Sequence, residues 1–427
     1  MRLHRRSARI ALVMTAVAAV VAATTVSAGA SVKHRDSGTI TAGVLHAFTG
    51  PTAFFGSNAE VACKAAASQI NAAGGVLGNQ LSCQTFDTKG DPADAVPVTT
   101  RMLATASNLV MVVGPDGNDI PSVLPLITQS KVPEMNTVGD PRYDKQTSPY
   151  FWRLTSSDST QGPAEAYYAA KIKHYKKIAE VFTSDLSAQT VVVPFEKKLQ
   201  ALGSKPVVAL KLTPDQSSYQ TEVAKLVAAH PTAIVGDMDA RTAATFLSEV
   251  QQQNGTLIPF VGGPQTVQGD WTAAVVPAVG AGNVAKYVAA VASNLNGPKV
   301  AFQGFQKAVT KAGANPFQKN NAFVAATYDG VIAFALAMEA AKTTSGSYVS
   351  KIPEVTGAQK GAVKVFTYAQ GVAALAKGEK IRYAGASGFL NFDQYHTANR
   401  SWVGQRYQAK SQAWINVALI PKAATLP

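Results

Sequence analysis

The sequence predicts an α/β protein built as two doubly wound, parallel-sheet lobes around a cleft. Three observations carry this. Strand-like and helix-like segments alternate along most of the chain, the signature of stacked strand–helix–strand units. Several strands are short continuous apolar runs, such as Leu109 to Val113, the pattern of a sheet buried on both faces. The alternation restarts near Trp152, so the 427 residues hold two such series, more than one ordinary domain.

The first series opens on the apolar run Ile40 to Leu45, which enters a turn at Thr49-Gly50-Pro51. A helix follows, with Val61, Ala65, Ala66 and Ile70 on one face. It stops at Gly74-Gly75, where glycine takes the left-handed conformation that ends helices. Leu81 to Phe86 is the next strand, ending at Asp87. Asp91-Pro92 pairs a capping residue with a proline at the first helical position and opens a helix to about Ser107. Leu109 to Val113 and Val132 to Met135 are further strands. In the second series, strands are expected at 177–183, 207–212, 233–235 and 258–261, with helices between them. Residues 281–376 read as largely helical. Two alternating strands, about 403–408 and 413–420, close the chain.

Composition excludes other classes. An apolar content of 47% with 15% charged residues is that of a globular chain. The formal charge of +13 falls to +9 without the four arginines of the first 30 residues, and the remaining Lys and Arg are scattered. A solvated basic surface is the reading, with no nucleic-acid partner. Residues 1–30 have the layout of a signal peptide: Arg2, Arg5, Arg6 and Arg9, an apolar run from Ile10 to Val26, then two small-x-Ala cleavage sites. An uncleaved anchor is the alternative. No cysteine follows the apolar run, so the usual lipoprotein anchor is missing. The expected location is secreted or at the cell envelope. Export into an oxidising space favours pairing of the two cysteines, Cys63 and Cys83, the alternative being two buried free thiols. Neither a metal site nor a cofactor is expected, and no catalytic motif is present.

An ordered set of pieces is familiar: Gly50-Pro51, Phe55-Gly56, the run from Ile70 to Gly78, Asp87 with Asp91-Pro92, Arg153 to Pro163, Asp215 to Tyr219, Tyr328-Asp329-Gly330, and Gly388 to Asp393. Together they resemble the branched-chain amino-acid-binding protein family, type I periplasmic solute-binding proteins that serve ABC importers. The resemblance covers nearly the whole mature chain. It implies two lobes joined by three crossovers, with 31–155 and 290–395 in lobe 1 and 156–289 and 396–427 in lobe 2. It implies a monomer that takes a small solute and docks on an ABC permease. A sensor of the same fold, or an extracellular hydrolase, are the alternatives.

In open α/β sheets, ligands bind beyond the carboxyl ends of the strands. Carried over by position, Phe55 matches the aromatic residue that covers the ligand. Asn118, Thr137 and Gly139 fall on the loops that hold a ligand carboxylate. Ser187 and Asp239 stand where aromatic residues are usual, and Gln265 at or beside the acidic position for the ligand ammonium. Asp158 matches an acidic residue at the lobe boundary. These departures leave an amide, a small carboxylate, an aromatic acid or a polyol as open as an amino acid. Structural readings compete throughout: core packing for Phe55, a turn for Asn118, helix caps for Asp239 and Asp158, and a structural imidazole for His46.

Overall fold

The computed structural model describes residues 38–50 and 52–426. The expected signal peptide and Pro51 of the first turn lie outside the described residues.

Lobe 1 begins with β1 (Thr39–His46), α1 (Ala53–Ala72), β2 (Gln80–Asp87), α2 (Pro92–Thr105), β3 (Leu109–Val113), α3 (Ile120–Ser130), β4 (Glu134–Asn136) and β5 (Phe151–Arg153). The five strands form one parallel sheet in the order β2-β1-β3-β4-β5. Helix α1 ends as its sequence requires: the N–H of Gly75 donates to Ile70 O (3.0 Å) and Gly75 sits at φ +79°. A Cβ there would stand 2.2 Å from Asn79 O, so only glycine fits. A disulfide joins Cys63 on α1 to Cys83 on β2, with Cα atoms 6.2 Å apart.

Lobe 2 continues with α4 (Asp158–Tyr167), β6 (Ile178–Thr183), α5 (Leu186–Ala201), β7 (Val208–Leu212), α6 (Gln220–Ala228), β8 (Ala233–Gly236), α7 (Ala240–Asn254), β9 (Phe260–Gly262), α8 (Gly269–Val279), α9 (Ala281–Tyr287) and β10 (Val288–Ser293). The chain then returns to lobe 1 with α10 (Lys299–Lys311), α11 (Ala322–Ala341), α12 (Ile352–Thr356), β11 (Val363–Val365), α13 (Tyr368–Ala376), β12 (Ile381–Gly385) and β13 (Gly388–Phe389). It ends in lobe 2 with β14 (Trp402–Gln408) and β15 (Ala413–Ile420), which complete the seven-stranded order β15-β14-β10-β9-β8-β6-β7. Helix α11 is buried from Val324 to Met338, which is why it is apolar all round. It is the central helix of the lobe 1 core, packed on Trp152 and Tyr348.

Two expected boundaries move. Residues 290–293 do not belong to lobe 1: they are in β10, which pairs with β9 in parallel and with β14 antiparallel. Residues 396–398 lie beside β5, with Arg153 N donating to His396 O and Ala398 N to Arg153 O, so the last crossing falls after them. The strand β10 also interrupts the region expected to be largely helical.

Three crossovers run side by side between the lobes. Ser156 Oγ accepts from Arg400 N (2.7 Å), and Asn294 N donates to Ser401 O (2.9 Å). Arg400 is the centre of this junction. Its guanidinium donates to Leu154 O, Ser387 O and Ser387 Oγ. Burial lowers its pKa to about 10, while the charge of Asp329 opposes that shift. Asp329 on α11 in turn accepts from Tyr383 Oη, Ala386 N, Ser387 N and Ser387 Oγ. Arg400 reaches Asp329 through Ser387, so removing its guanidinium leaves Leu154 O and Ser387 O without their donor. Arg400→Met is therefore expected to lower unfolding free energy by about 1–3 kcal/mol. Urea titration checks this, and a loss under about 1 kcal/mol would contradict it.

Candidate functional site

The carboxyl ends of β1, β3 and β4 face those of β6, β8 and β9 across a cavity of about 590 Å³, its open mouth included. Residues from both lobes line it. Lobe 1 supplies Phe55, Asp116, Gly117, Thr137, Val138, Gly139, Asp140 and Phe323, and lobe 2 supplies Asp158, Gln161, Leu186, Ser187, Thr190, Val191, Asp237, Pro264 and Gln265. Phe55 and Phe323 meet edge to face, with ring centroids 6.0 Å apart. Four carboxyls line this cavity and, among the described residues, no Lys, Arg or His does.

Each carboxyl is set by local structure. The loop after β3 turns on Asp116, whose Oδ1 accepts from Asn118 N (3.0 Å) and Asp119 N (3.3 Å). Its Oδ2 is buried with no partner. Asp140 caps a short 3-10 turn and is held by the exposed Arg142 at 2.5–2.8 Å. Ser157, not Asp158, caps α4. That frees Asp158 to accept from Thr190 Oγ1 (2.6 Å) and to press against Gly139, where a Cβ would overlap its Oδ1 at 1.8 Å. Asp237, just beyond β8, accepts from Gly263 N (3.1 Å) and Gln161 Nε2 (2.9 Å), and Gln161 also donates to the buried Glu165 (2.9 Å).

Burial dominates the electrostatics. It pushes the Asp158 and Asp237 carboxyls up to about 7, with the charge of Asp158 adding to the rise at Asp237. Asp116 is raised and Glu165 is raised well above the ordinary range for the same reason. The Arg153 guanidinium lowers the Asp158 value only in part, and it is itself bonded to Asp144 (2.7 Å), Thr397 and Asp140 O. His46, at the end of β1, is buried and pushed down to about 4 by desolvation, so it stays neutral at pH 7.

Of the residues expected from the sequence, Phe55, Thr137, Gly139, Ser187 and Gln265 line the cavity. Asn118 lies beside it, its Oδ1 accepting from Ser187 Oγ across the lobes at 3.4 Å. Asp239 is not in the lining: its Oδ1 accepts from Arg241 N and Thr242 N and caps α7. The acid that faces the cavity from this loop is Asp237. Sequence reasoning did not single out Asp116, Gln161, Thr190 or Phe323. A second set of contacts crosses between the lobes, where Asn58 and Asn321 of lobe 1 donate to Gln268 Oε1 of lobe 2.

The model of the periplasmic binding protein family matches residues 39–411. The chain belongs to that family. As a periplasmic binding protein it is 27% identical over 253 residues to an "amino acid binding protein" of Pseudomonas aeruginosa, an alignment covering 53% of this chain and 64% of that one. It is 24% identical over 234 residues to "Leu/Ile/Val-binding protein homolog 1" of Brucella melitensis, covering 54% of this chain and 62% of that one. The alignments thus span less than two thirds of these relatives. The structure of a leucine-binding protein from Thermotoga maritima superposes with a TM-score of 0.71 at 18% identity, covering 90% of this chain and 99% of that one. That likeness is one of fold.

Asp158 provides a direct electrostatic test. Its folded pKa of about 7 stands above the ordinary carboxyl value of 3.8. The native state therefore binds more protons than the unfolded chain between these values, and Asp158 costs stability increasingly as pH rises through that window. Asp158→Asn keeps an acceptor for Thr190 and has no such titration. Its melting temperature minus that of the wild type should become more positive from pH 5 to pH 8. A pH-independent difference would show that Asp158 titrates at its ordinary value.

Proposed function

We infer that the protein is an exported solute-binding protein. It captures a small polar solute between two lobes that close by a hinge, and presents the closed form to the permease of an ABC importer. The observation that carries this reading is a cavity lined from both lobes at the carboxyl ends of both sheets. Three adjacent crossovers make a hinge of the kind that permits such closure. The names of its relatives extend the reading to amino acids and related solutes, and to delivery rather than turnover. The Cys63–Cys83 disulfide suits an extracellular or cell-envelope location. In this reading Phe55 covers the ligand, the loops at Thr137 and Gly139 approach it from lobe 1, and Ser187 and Gln265 approach it from lobe 2. The protein acts as a monomer and without a cofactor.

A thermal-shift screen of the chain from Ser31 against amino acids, amides, amines, small acids and polyols tests this. A ligand at 100 times its Kd stabilises the fold by about 2.7 kcal/mol. The expected result is a rise of a few degrees that Phe55→Ala abolishes. No shift with any solute class, by a protein that unfolds cooperatively, would contradict capture.

A further inference from the structure

The geometry points to an organic cation, a protonated amine without a free carboxylate, as the ligand of this cleft. The inference rests on the solute-binding reading and names the class of solute. It begins from the balance of charge. Asp116, Asp158 and Asp237 line one cavity from opposite lobes, and no basic side chain of the described residues joins them there. Asp140 has its own partner in Arg142; the other three have no cationic partner in the cavity.

The second observation is an acceptor left open. Asp116 is only 4% exposed, and its Oδ2 has no hydrogen-bond partner. Buried carboxylate oxygens are ordinarily satisfied, so an orphan on a residue that lines the cavity favours a ligand that brings a donor. Behind Gln161, Glu165 Oε2 is also buried without a partner.

A ligand carboxylate meets the opposite situation. The lobe 1 loops expected to hold one, at Asn118 and at Thr137 to Gly139, are flanked by carboxyls. Asn118 N donates to Asp116 Oδ1, and Asp158 lies against Gly139. An anion there would be desolvated beside buried carboxyls with no cation to offset it, and only acids that stay protonated could accommodate it. A metal ion does not fit either: among the described residues, no three His, Cys, Asp or Glu side chains gather closely enough to hold one. The acids are spread around the cavity, as suits an ammonium that distributes its N–H donors over several acceptors. Phe55 and Phe323 offer an apolar wall for its carbon skeleton.

The test is a matched set of probes followed by calorimetry: 3-methylbutylamine, leucine, and 4-methylpentanoate, which share one side chain and differ in which charges they carry. Butane-1,4-diamine and tetramethylammonium broaden the cationic arm. The expected result is binding by at least one cation about tenfold or more tighter than by leucine, with none by the acid. Asp158→Asn and Asp237→Asn should each weaken the cation about tenfold or more, while the surface variant Glu222→Gln should not. Asp158→Asn must retain the wild-type fold by circular dichroism, and Asp237→Asn serves as the second arm. Binding of leucine or the acid at least as tightly as every cation would overturn the inference and leave the solute-binding reading standing. Binding of cations that is unchanged in both variants would overturn the role of the cleft acids. No binding by any of these probes, with a hit among neutral solutes, would also overturn it; no hit with any solute would remove the solute-binding reading itself.

Discussion

Carboxyl groups buried without a counter-cation are the constraint around which this cleft is organised. Asp116, Asp158 and Asp237 are each almost fully removed from water, and the raised values at Asp158 and Asp237 record what that removal costs. Folding tolerates it because each carboxyl keeps at least one fixed donor: backbone N–H groups at Asp116, Thr190 at Asp158, and Gly263 with Gln161 at Asp237. These bonds hold the acids in place without neutralising them. The site is thus rigid and electrostatically incomplete, a combination that suits binding better than stability.

The rest of the fold supplies the frame. Parallel sheets direct their carboxyl ends, and the loops that follow, toward one another. Glycine at position 139 allows Asp158 to approach the lobe 1 loop, which a side chain would prevent. The Asp329–Ser387–Arg400 network ties the crossovers at Leu154 and Arg400 to α11. Some contacts made directly between the lobes are neutral, such as Ser187 with Asn118 and the amides around Gln268, and neutral contacts can break and re-form at low cost.

Much of the architecture was legible in the sequence, because periodicity, caps and glycine stops are local signals. The helix end at Gly74-Gly75, the proline-led start of α2 and the apolar strand β3 are read from a few adjacent residues. The misreadings have physical causes. Strand β10 is Val-Ala-Ala-Val-Ala-Ser, which suits a helix, and its pairing between β9 and β14 overrides that propensity. At Asp237-Met238-Asp239, either acid fits a cap or a site. The end of β8 at Gly236 decides the matter by placing Asp237 at the cavity and Asp239 at the helix start. Ser157 and Asp158 posed the same choice. Phe323 meets Phe55 from a distant part of the chain, and the exclusion of basic side chains from the cavity is a tertiary property that no local pattern carries.

The most direct measurement of the central claim is the carboxyl-carbon NMR titration of the ligand-free protein, with Asp158→Asn to assign that resonance. The account predicts a midpoint of about 7 for Asp158, the mark of a buried acid without a counter-cation. A midpoint at or below the ordinary value of 3.8 would show that the cavity already neutralises its own charge, and would contradict it.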